Sequence, residues 1–133
     1  MTLQVELVSP ESSPFSGEAD MVLARTMAGG DIAFLSGHVP FIGALAIHPV
    51  EIVEPGGART RIAVHRGFVE VADDKVTILS DMAELPDDID VEAARQELAA
   101  AEAALAADAN DDAAKVAKRQ AEVRLDVAGA ATL

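Results

Sequence analysis

The sequence predicts an α+β protein in two parts, a flattened β-sandwich or barrel over residues 1–86 and an antiparallel helical hairpin over residues 87–133. Two observations predict this division. Before Pro86, apolar residues alternate with polar ones, as they do in strands that bury one face. After Pro86, apolar residues recur with a period near 3.6, which is typical of amphipathic helices. The change of period sets the boundary between the two parts.

Short strands are predicted throughout the first part, each from an apolar pair or triplet. The candidates are Leu3/Val5/Leu7, Ala19/Met21/Leu23, Ile32/Phe34, Leu45/Ile47, Val50/Ile52, Ile62/Val64, Val69/Val71 and Val76/Ile78. Turn residues separate them, because Gly tolerates positive φ, Pro fixes φ, and Asp or Ser caps nearby amides. These turns are Ser9-Pro10, Gly29-Gly30, Ser36-Gly37, Pro55-Gly56-Gly57 and Asp73-Asp74. Such spacing is typical of a sandwich or barrel.

Two helices are predicted after Pro86. Asp88 or Asp90 is expected to cap the first helix, and residues 108–111 supply a turn and a second cap. The first helix has an apolar seam, formed by Val91, Ala94, Leu98, Ala101 and Leu105. The second presents Ala114, Ala117, Ala121, Leu125 and Ala128, flanked by Val116 and Val123, before a stop at Gly129. Because alanine removes little apolar surface from water, we expect the hairpin to dock only weakly on the β domain.

Composition excludes several classes of function. The net charge of −13 and the absence of Trp and Tyr argue against nucleic-acid binding, which needs clustered cations and stacking platforms. No segment approaches the roughly 20 apolar residues that span a bilayer, and no basic leader precedes an apolar run. We therefore expect a soluble protein without direct membrane insertion. The chain has no cysteine, so disulfides and thiolate chemistry are excluded.

No catalytic motif stands out in the sequence. The glycines at 29, 30 and 37 are not followed by Lys-Ser or Lys-Thr, so a phosphate-binding loop is not predicted. His38, His48 and His65 are candidate zinc ligands with Asp31 completing a site, but their spacing matches no His-x-x-x-His element. A metal-dependent enzyme remains an alternative hypothesis, which elemental analysis of the purified protein would test.

The run GGDIAFLSGHVP from Gly29 to Pro40 is the most informative segment. It is followed by Arg66-Gly67-Phe68-Val69-Glu70-Val71, by Val76-Thr77-Ile78-Leu79 and by the alanine-rich tail. In this order, from about Val5 to Val127, the chain resembles the epsilon subunit of the bacterial F-type ATP synthase. The resemblance implies a non-catalytic rotor component without a cofactor. Such a subunit binds the gamma subunit and the membrane c-ring, at the cytoplasmic face of the bacterial plasma membrane, as part of the F1 sector.

The resemblance also implies which residues meet these partners. The ring and gamma contacts are expected at Gly30, Asp31, Gly37, His38, Pro40 and Phe41. Asp31 stands where the family usually carries Glu in the loop that meets the ring, and His38 lies in the family's Gly-His-x-Pro motif near gamma. Phe34, Val39, Pro40 and Phe41 are expected to be exposed apolar residues of the partner surface.

The tail raises a question of nucleotide binding. Some epsilon subunits bind ATP through Ile/Leu-Asp-x-x-Arg-Ala, and the aligned residues here run from Ile89 to Ala94. Ala93 replaces the motif arginine, and Arg95 lies two residues further, about 200° around the helix. Asp90 and Arg95 are therefore weak nucleotide candidates. A nucleotide-sensing module that binds ATP through the hairpin is the alternative function.

Four cations of the second helix have two interpretations. They are Lys115, Lys118, Arg119 and Arg124. In one, they are solvated residues that pair with Glu122 and Asp126 at little energetic gain. In the other, they resemble the basic second helix that contacts the catalytic alpha and beta subunits in this family and restrains ATP hydrolysis. The sequence leaves both interpretations open.

Overall fold

The computed structural model describes residues 1–10 and 12–130. It contains eight strands, a short 3₁₀ turn at Pro86–Asp88 and two helices. The strands are β1 Leu3–Ser9, β2 Ser12–Ala19, β3 Met21–Thr26, β4 Gly30–Leu35, β5 Phe41–Val53, β6 Arg59–Ala72, β7 Lys75–Leu79 and β8 Ala83–Glu84. The helices are α1 Val91–Ala107 and α2 Asp112–Val127. The predicted α+β class, with strands first and a helical hairpin last, is confirmed.

The strands form one hydrogen-bonded path in the order β2-β1-β7-β6-β5-β3-β4, with β8 added to β6. Neighbours along the path are antiparallel except for the parallel pair β1 and β7. The path folds over itself, because residues from strands near both of its ends meet in a single buried cluster. Val5, Ile78, Val22 and Phe34 all belong to this cluster. The core therefore lies between two layers of one sheet, as in a sandwich.

β5 and β6 are much longer than the short strands that the sequence predicts. Each joins two predicted apolar pairs into one strand, and the two keep one register from Phe41↔Val71 to Val53↔Arg59 on either side of Ala46 and Arg66. Pro49 lies inside β5, opposite Ala63 of β6. The register of β5 against β3 shifts in this region, and an irregular ladder is where a residue without an amide hydrogen is tolerated. The predicted pairs Leu45/Ile47 and Val50/Ile52 are therefore parts of one strand that continues through Pro49.

Aspartates cap both helices of the hairpin. Asp90 accepts a hydrogen bond from the Ala93 amide and Asp111 from the Ala114 amide, each at 3.0 Å. Of the two predicted caps for α1, Asp90 is the one used, since Asp88 belongs to the 3₁₀ turn. The facing sides of the two helices bury Ala94, Ala101, Ala114 and Ala121. Small side chains thus let the helices approach closely, as the seam predicts.

The hairpin lies against the outer surface of β5 and β6 through α2. The contact contains a small apolar cluster separate from the sandwich core, consisting of Ile47, Ala63, Ile89, Val123 and Val127. Val116 and Ala128 pack at its margin. α2 therefore has two apolar sides, one toward α1 and one toward the sheet. The hairpin adopts a compact, docked position in this structure.

Candidate partner-binding surfaces and the hairpin contact

Asp31 stands at one end of the sandwich, beside the β3–β4 loop. It is the cross-strand neighbour of Arg25, whose Nε donates to Asp31 Oδ1 at 2.8 Å. This hydrogen bond holds the pKa of the Asp31 carboxyl below its ordinary value. Thr26 Oγ1 closes the loop by accepting from the Gly29 amide and donating to the Gly30 carbonyl. The predicted ring contact is thus an exposed, ionised carboxylate at the start of β4, beside a well-defined loop.

The β4–β5 loop is tied to a second turn by Asp74. The Gly37 amide donates to Asp74 Oδ1 at 2.7 Å, and Ser36 Oγ donates to Asp74 Oδ2 at 3.1 Å. Gly37 has φ +84°, a conformation that glycine adopts without strain. The predicted turns at Ser36-Gly37 and Asp73-Asp74 are therefore neighbours in space, and these hydrogen bonds restrain the conformation of both.

His38 is packed against aromatic rings rather than aimed at a reaction centre. Its ring lies edge-on to Phe34 at 5.1 Å between centroids and to Phe41 at 6.3 Å. Phe34 itself is fully buried in the sandwich core. The expectation that Phe34 contributes to an exposed apolar edge is wrong, because its strand directs it inward as the anchor for this cluster. Val39 and Pro40 remain exposed, and Phe41 is half-buried.

The predicted partner residues form two separate surfaces. Gly30 and Asp31 begin β4, whereas Gly37, His38 and Pro40 follow its end. A strand of this length spans about 17 Å, so one compact ligand cannot touch both groups. The arrangement instead offers two contact surfaces at opposite ends of one strand.

An exposed apolar patch adjoins the second surface, and the sequence reasoning missed it. It comprises Ile42 of β5, Phe68 of β6 and Leu79 of β7, with 71%, 62% and 54% of their surfaces exposed. Phe68 and Leu79 are direct cross-strand partners. The signal was present in the alternation, because Val69 points inward and its neighbour Phe68 must then point outward. Large exposed apolar side chains that lie together typically mark a contact with another protein.

Arg119 fastens the middle of α2 to the sheet. Its Nε donates to the Ile47 carbonyl at 3.0 Å, and its Nη2 lies 2.8 Å from His48 Nδ1. Because a guanidinium only donates, Nδ1 is the acceptor and the His48 proton is on Nε2. Burial, followed by the charges of Arg25 and Arg119, lowers the pKa of His48, so the ring stays neutral around pH 7.

Arg124 and Arg61 make further ion pairs near the end of α2. Arg124 Nε donates to Glu84 of β8 at 2.8 Å, and its Nη1 donates to Glu97 of α1 at 2.5 Å. Arg61 of β6 donates to both carboxylate oxygens of Asp126 at 3.1 and 3.2 Å. The interpretation of Arg119 and Arg124 as solvated residues pairing with Glu122 and Asp126 is therefore wrong. Both reach acceptors on the β domain, because α2 lies directly on it.

The two lysines of α2 differ from these arginines. Lys115 lies 3.8 Å from Asp112 one turn earlier, a loose pair between exposed groups. Lys118 makes no hydrogen bond or ion pair within the described part of the chain. For these two residues, both sequence interpretations remain predictions.

The remaining candidates do not converge on a ligand site. Among residues 1–10 and 12–130, no group of three or more His, Asp or Glu is placed to hold a metal ion. Asp31 and His48 line one pocket, but neither His38 nor His65 joins them there. Asp90 uses its carboxylate to cap α1, and Arg95 lies 4.0 Å from Glu92. Within the described residues, neither helix is long and apolar enough to cross a membrane.

Comparison with known proteins agrees with this architecture. A family model described as ATP synthase, delta/epsilon chain, beta-sandwich domain, matches residues 2–86. The ATP synthase epsilon chain of Streptomyces griseus is 45% identical over 123 residues, which cover 92% of both chains. That of Halalkalibacterium halodurans is 42% identical and covers 96% of this chain and 98% of its own.

Solved structures share the fold at low sequence identity. A chain of the Euglena gracilis mitochondrial ATP synthase, from its OSCP/F1/c-ring structure, aligns with a TM-score of 0.71 and 23% identity, over 97% of this chain and 78% of that one. A chain of the Tetrahymena thermophila central stalk/c-ring structure gives 0.62 and 16%, over 96% and 97%.

Fold and family model together define a delta/epsilon-type β-sandwich subunit with a C-terminal helical hairpin. The whole-chain relatives narrow this class further. The protein belongs to the family of ATP synthase epsilon chains.

Proposed function

We propose that this chain is a non-catalytic component of the central stalk of a bacterial proton-translocating ATP synthase. It couples rotation of the membrane c-ring to the gamma shaft, and it is peripheral at the cytoplasmic face of the plasma membrane. The observation that carries the proposal is the match to named epsilon chains at 45% identity across 92% of both sequences. The domain division at Pro86 is part of the same proposal, with residues 1–86 as the rotor-binding unit.

The two ends of β4 serve the two partners in this proposal. The loop with Gly30 and Asp31 faces the c-ring, and the loop with Gly37, His38 and Pro40 faces gamma. The apolar patch of Ile42, Phe68 and Leu79 extends the gamma surface, since a desolvated apolar centre is where protein interfaces gain most of their affinity. A close-packed β-sandwich between the two surfaces transmits torque because its core resists deformation.

The hairpin is the regulatory element of the proposed function. In the docked position, Arg119 and Arg124 are occupied by acceptors on the β domain and on α1. They become available to acidic segments of the catalytic alpha and beta subunits only after α2 leaves the sheet. Restraint of ATP hydrolysis therefore requires undocking, and the docked structure is the permissive state.

Assembly tests the proposal directly. A tagged copy expressed in its own bacterium should co-purify with gamma, the c-ring and the catalytic subunits. Asp31→Asn and His38→Ala should weaken assembly or coupling without unfolding the isolated chain, because neither side chain belongs to the sandwich core. Recovery of the chain alone, from membranes whose coupled ATP synthesis does not depend on it, would refute the stalk role.

A further inference from the structure

His48 of β5 is the acceptor in one of the hydrogen bonds that fasten α2 to the sheet. Its Nδ1 lies 2.8 Å from Arg119 Nη2, while Arg119 Nε donates to the Ile47 carbonyl at 3.0 Å. A guanidinium has no acceptor, so the contact with His48 forms only while Nδ1 carries a free lone pair. Both ring nitrogens of an imidazolium are donors. Protonation of His48 therefore removes this hydrogen bond and brings two cations into contact.

The ring of His48 is accessible enough to exchange protons with its surroundings. β3 and β5 lose their common register beside it, between Leu23 and Thr26 of β3. A cavity of about 360 Å³ lies at this irregularity, and its lining includes His48 and Asp31. His48 is only partly buried, unlike the residues of the sandwich core. Its protonation therefore follows the pH of the solution while the β domain stays folded.

The charged groups around His48 leave a second positive charge there uncompensated. Each carboxylate that faces the ring or the adjoining cavity is already paired with an arginine, in the pairs Asp31–Arg25, Asp126–Arg61 and Glu51–Arg59. Within the described residues, Arg119 donates only to neutral acceptors. Burial, followed by the charges of Arg25 and Arg119, outweighs the nearby carboxylates and lowers the pKa of His48 below its ordinary value of 6.5. The neutral ring is thus the form that fits the docked hairpin.

We propose that His48 is a pH switch for hairpin docking, whose neutral ring holds α2 on the sheet through Arg119 and whose protonation favours release of α2. The contact exists only in the docked state, so the docked chain takes up a proton at His48 less readily than the released chain. This contribution to docking is complete above about pH 6.5 and is lost as the pH falls through the lowered pKa. Because restraint of ATP hydrolysis requires undocking in the proposed function, on which this consequence rests, a fall in cytoplasmic pH restrains hydrolysis.

Amide exchange of the full chain between about pH 7.5 and pH 5.5 tests the switch, because this range brackets the ordinary histidine pKa. Protection factors are corrected for the intrinsic pH dependence of exchange. For α2 they should fall by up to about tenfold per pH unit below about pH 6.5, the limit for one linked proton. His48→Asn offers an amide oxygen as a neutral acceptor that does not titrate, so its protection should stay nearly constant. His38→Asn is the matched control, because His38 packs against Phe34 rather than α2, and it should keep the wild-type response.

His65 is the other histidine at the hairpin contact. Its Nε2 faces Glu84 Oε1 at 3.2 Å, so protonation of this ring keeps the contact. His48→Asn leaves His65 unchanged, so the difference between the wild type and this variant reports on His48 alone. Arg119→Gln should also flatten the response, because its amide can donate to a neutral ring or accept from a protonated one.

A pH response that persists in His48→Asn would overturn the switch. A response that His48→Asn abolishes and Arg119→Gln leaves intact would also overturn it, since the ring would then act through its other charged neighbours. The assembled enzyme tests the consequence: at about pH 6, His48→Asn should hydrolyse ATP faster than the wild type, and at about pH 7.5 the two rates should be equal. Docking that depends on pH, with equal hydrolysis rates at both pH values, supports the switch and refutes the proposed restraint of hydrolysis. Docking that is independent of pH overturns the switch and leaves the stalk role untouched.

Discussion

The Arg124 guanidinium donates through Nε to Glu84 Oε1 at 2.8 Å and thereby joins α2 to the last strand of the sheet. Glu84 Oε1 also accepts from His65 Nε2 at 3.2 Å, and Arg124 reaches Glu97 on α1. The side chains of Arg124 and Glu84 are only 17% and 22% exposed. One arginine therefore contacts the sheet and both helices, so it helps to set the position of the hairpin.

Removing this arginine should release the hairpin. Arg124→Ala leaves Glu84 partly buried with only His65 as a charged or polar partner, and we expect the docked state to lose about 1–3 kcal/mol. Amide exchange in α2 should accelerate accordingly, while exchange in β1, β6 and β7 stays unchanged. Arg95→Ala is the matched control, because its exposed pair with Glu92 contributes little. Equal protection of α2 in the wild type and Arg124→Ala would contradict this role.

Lowering the pH should weaken the contacts of Glu84 with His65 and Arg124. Hydrogen bonds from His65 and then Arg124 hold the pKa of Glu84 below its ordinary value of 4.5. The unfolded chain therefore takes up a proton first as the pH falls, so this stabilisation of the folded chain is complete above about pH 5 and is lost as the pH falls through the lowered pKa. The free energy of unfolding, measured by urea titration between pH 5 and pH 3, should decrease in the wild type. In Glu84→Gln this part of the pH dependence should disappear, and an unchanged slope would contradict the assignment.

Core truncations should distinguish the two parts of the chain. Val123 belongs to the small cluster under α2, whereas Ile78 belongs to the sandwich core. Val123→Ala should cost about 1–2 kcal/mol and act on hairpin exchange alone, while Ile78→Ala should cost about 2–5 kcal/mol and lower the global unfolding midpoint. Urea unfolding followed by circular dichroism and by exchange separates the two effects. Global destabilisation by Val123→Ala would mean that hairpin and sandwich unfold as one unit.

The apolar patch can be tested by one substitution. Phe68→Ser removes a side chain that is 62% exposed, so the isolated chain should keep its stability within about 0.5 kcal/mol. Its affinity for the gamma subunit should fall at least tenfold if the patch lies at the centre of that interface. Lys75→Ser, on the neighbouring strand, is the exposed control. Surface plasmon resonance with purified gamma measures both, and unchanged affinity for Phe68→Ser would exclude the patch from the interface.

Local patterns in the sequence predicted most of the fold. Alternating apolar residues placed β1, β4 and β7. The choice between Asp88 and Asp90, and the stretch 108–111, marked the starts of the two helices, because capping depends on residues three positions away. The ordered combination around Gly29–Pro40 predicted the family. These features depend on residues that are close together in the chain, so they can be predicted without knowing the tertiary contacts.

Tertiary contacts decided what the sequence could not predict. Alternation gives two faces for a strand but not which neighbours cover them, so Phe34 was placed outside although the sandwich buries it. The helical pattern of α2 showed Arg119 and Arg124 as surface residues, yet their acceptors lie 72 and 40 positions away along the chain. The positive φ of Arg66 likewise could not be predicted from the residue type. Arginine disfavours the left-handed region, and this conformation occurs inside the long strand β6.

Truncation after Pro86 in the assembled enzyme separates the mechanical role proposed for the sandwich from the regulatory role proposed for the hairpin. The shortened chain keeps the sandwich core and both proposed partner surfaces and loses the whole hairpin. We expect normal assembly and proton-coupled ATP synthesis, with a higher rate of ATP hydrolysis than the full-length complex. Lys118→Asp in the full chain provides a check that does not depend on truncation. Lys118 makes no hydrogen bond or ion pair within the described part of the chain, so this change leaves the docking contacts intact and places a negative charge on the helix proposed to restrain the catalytic subunits. Loss of assembly on truncation, or an unchanged hydrolysis rate in both variants, would contradict the division into a torque-transmitting sandwich and a regulatory hairpin.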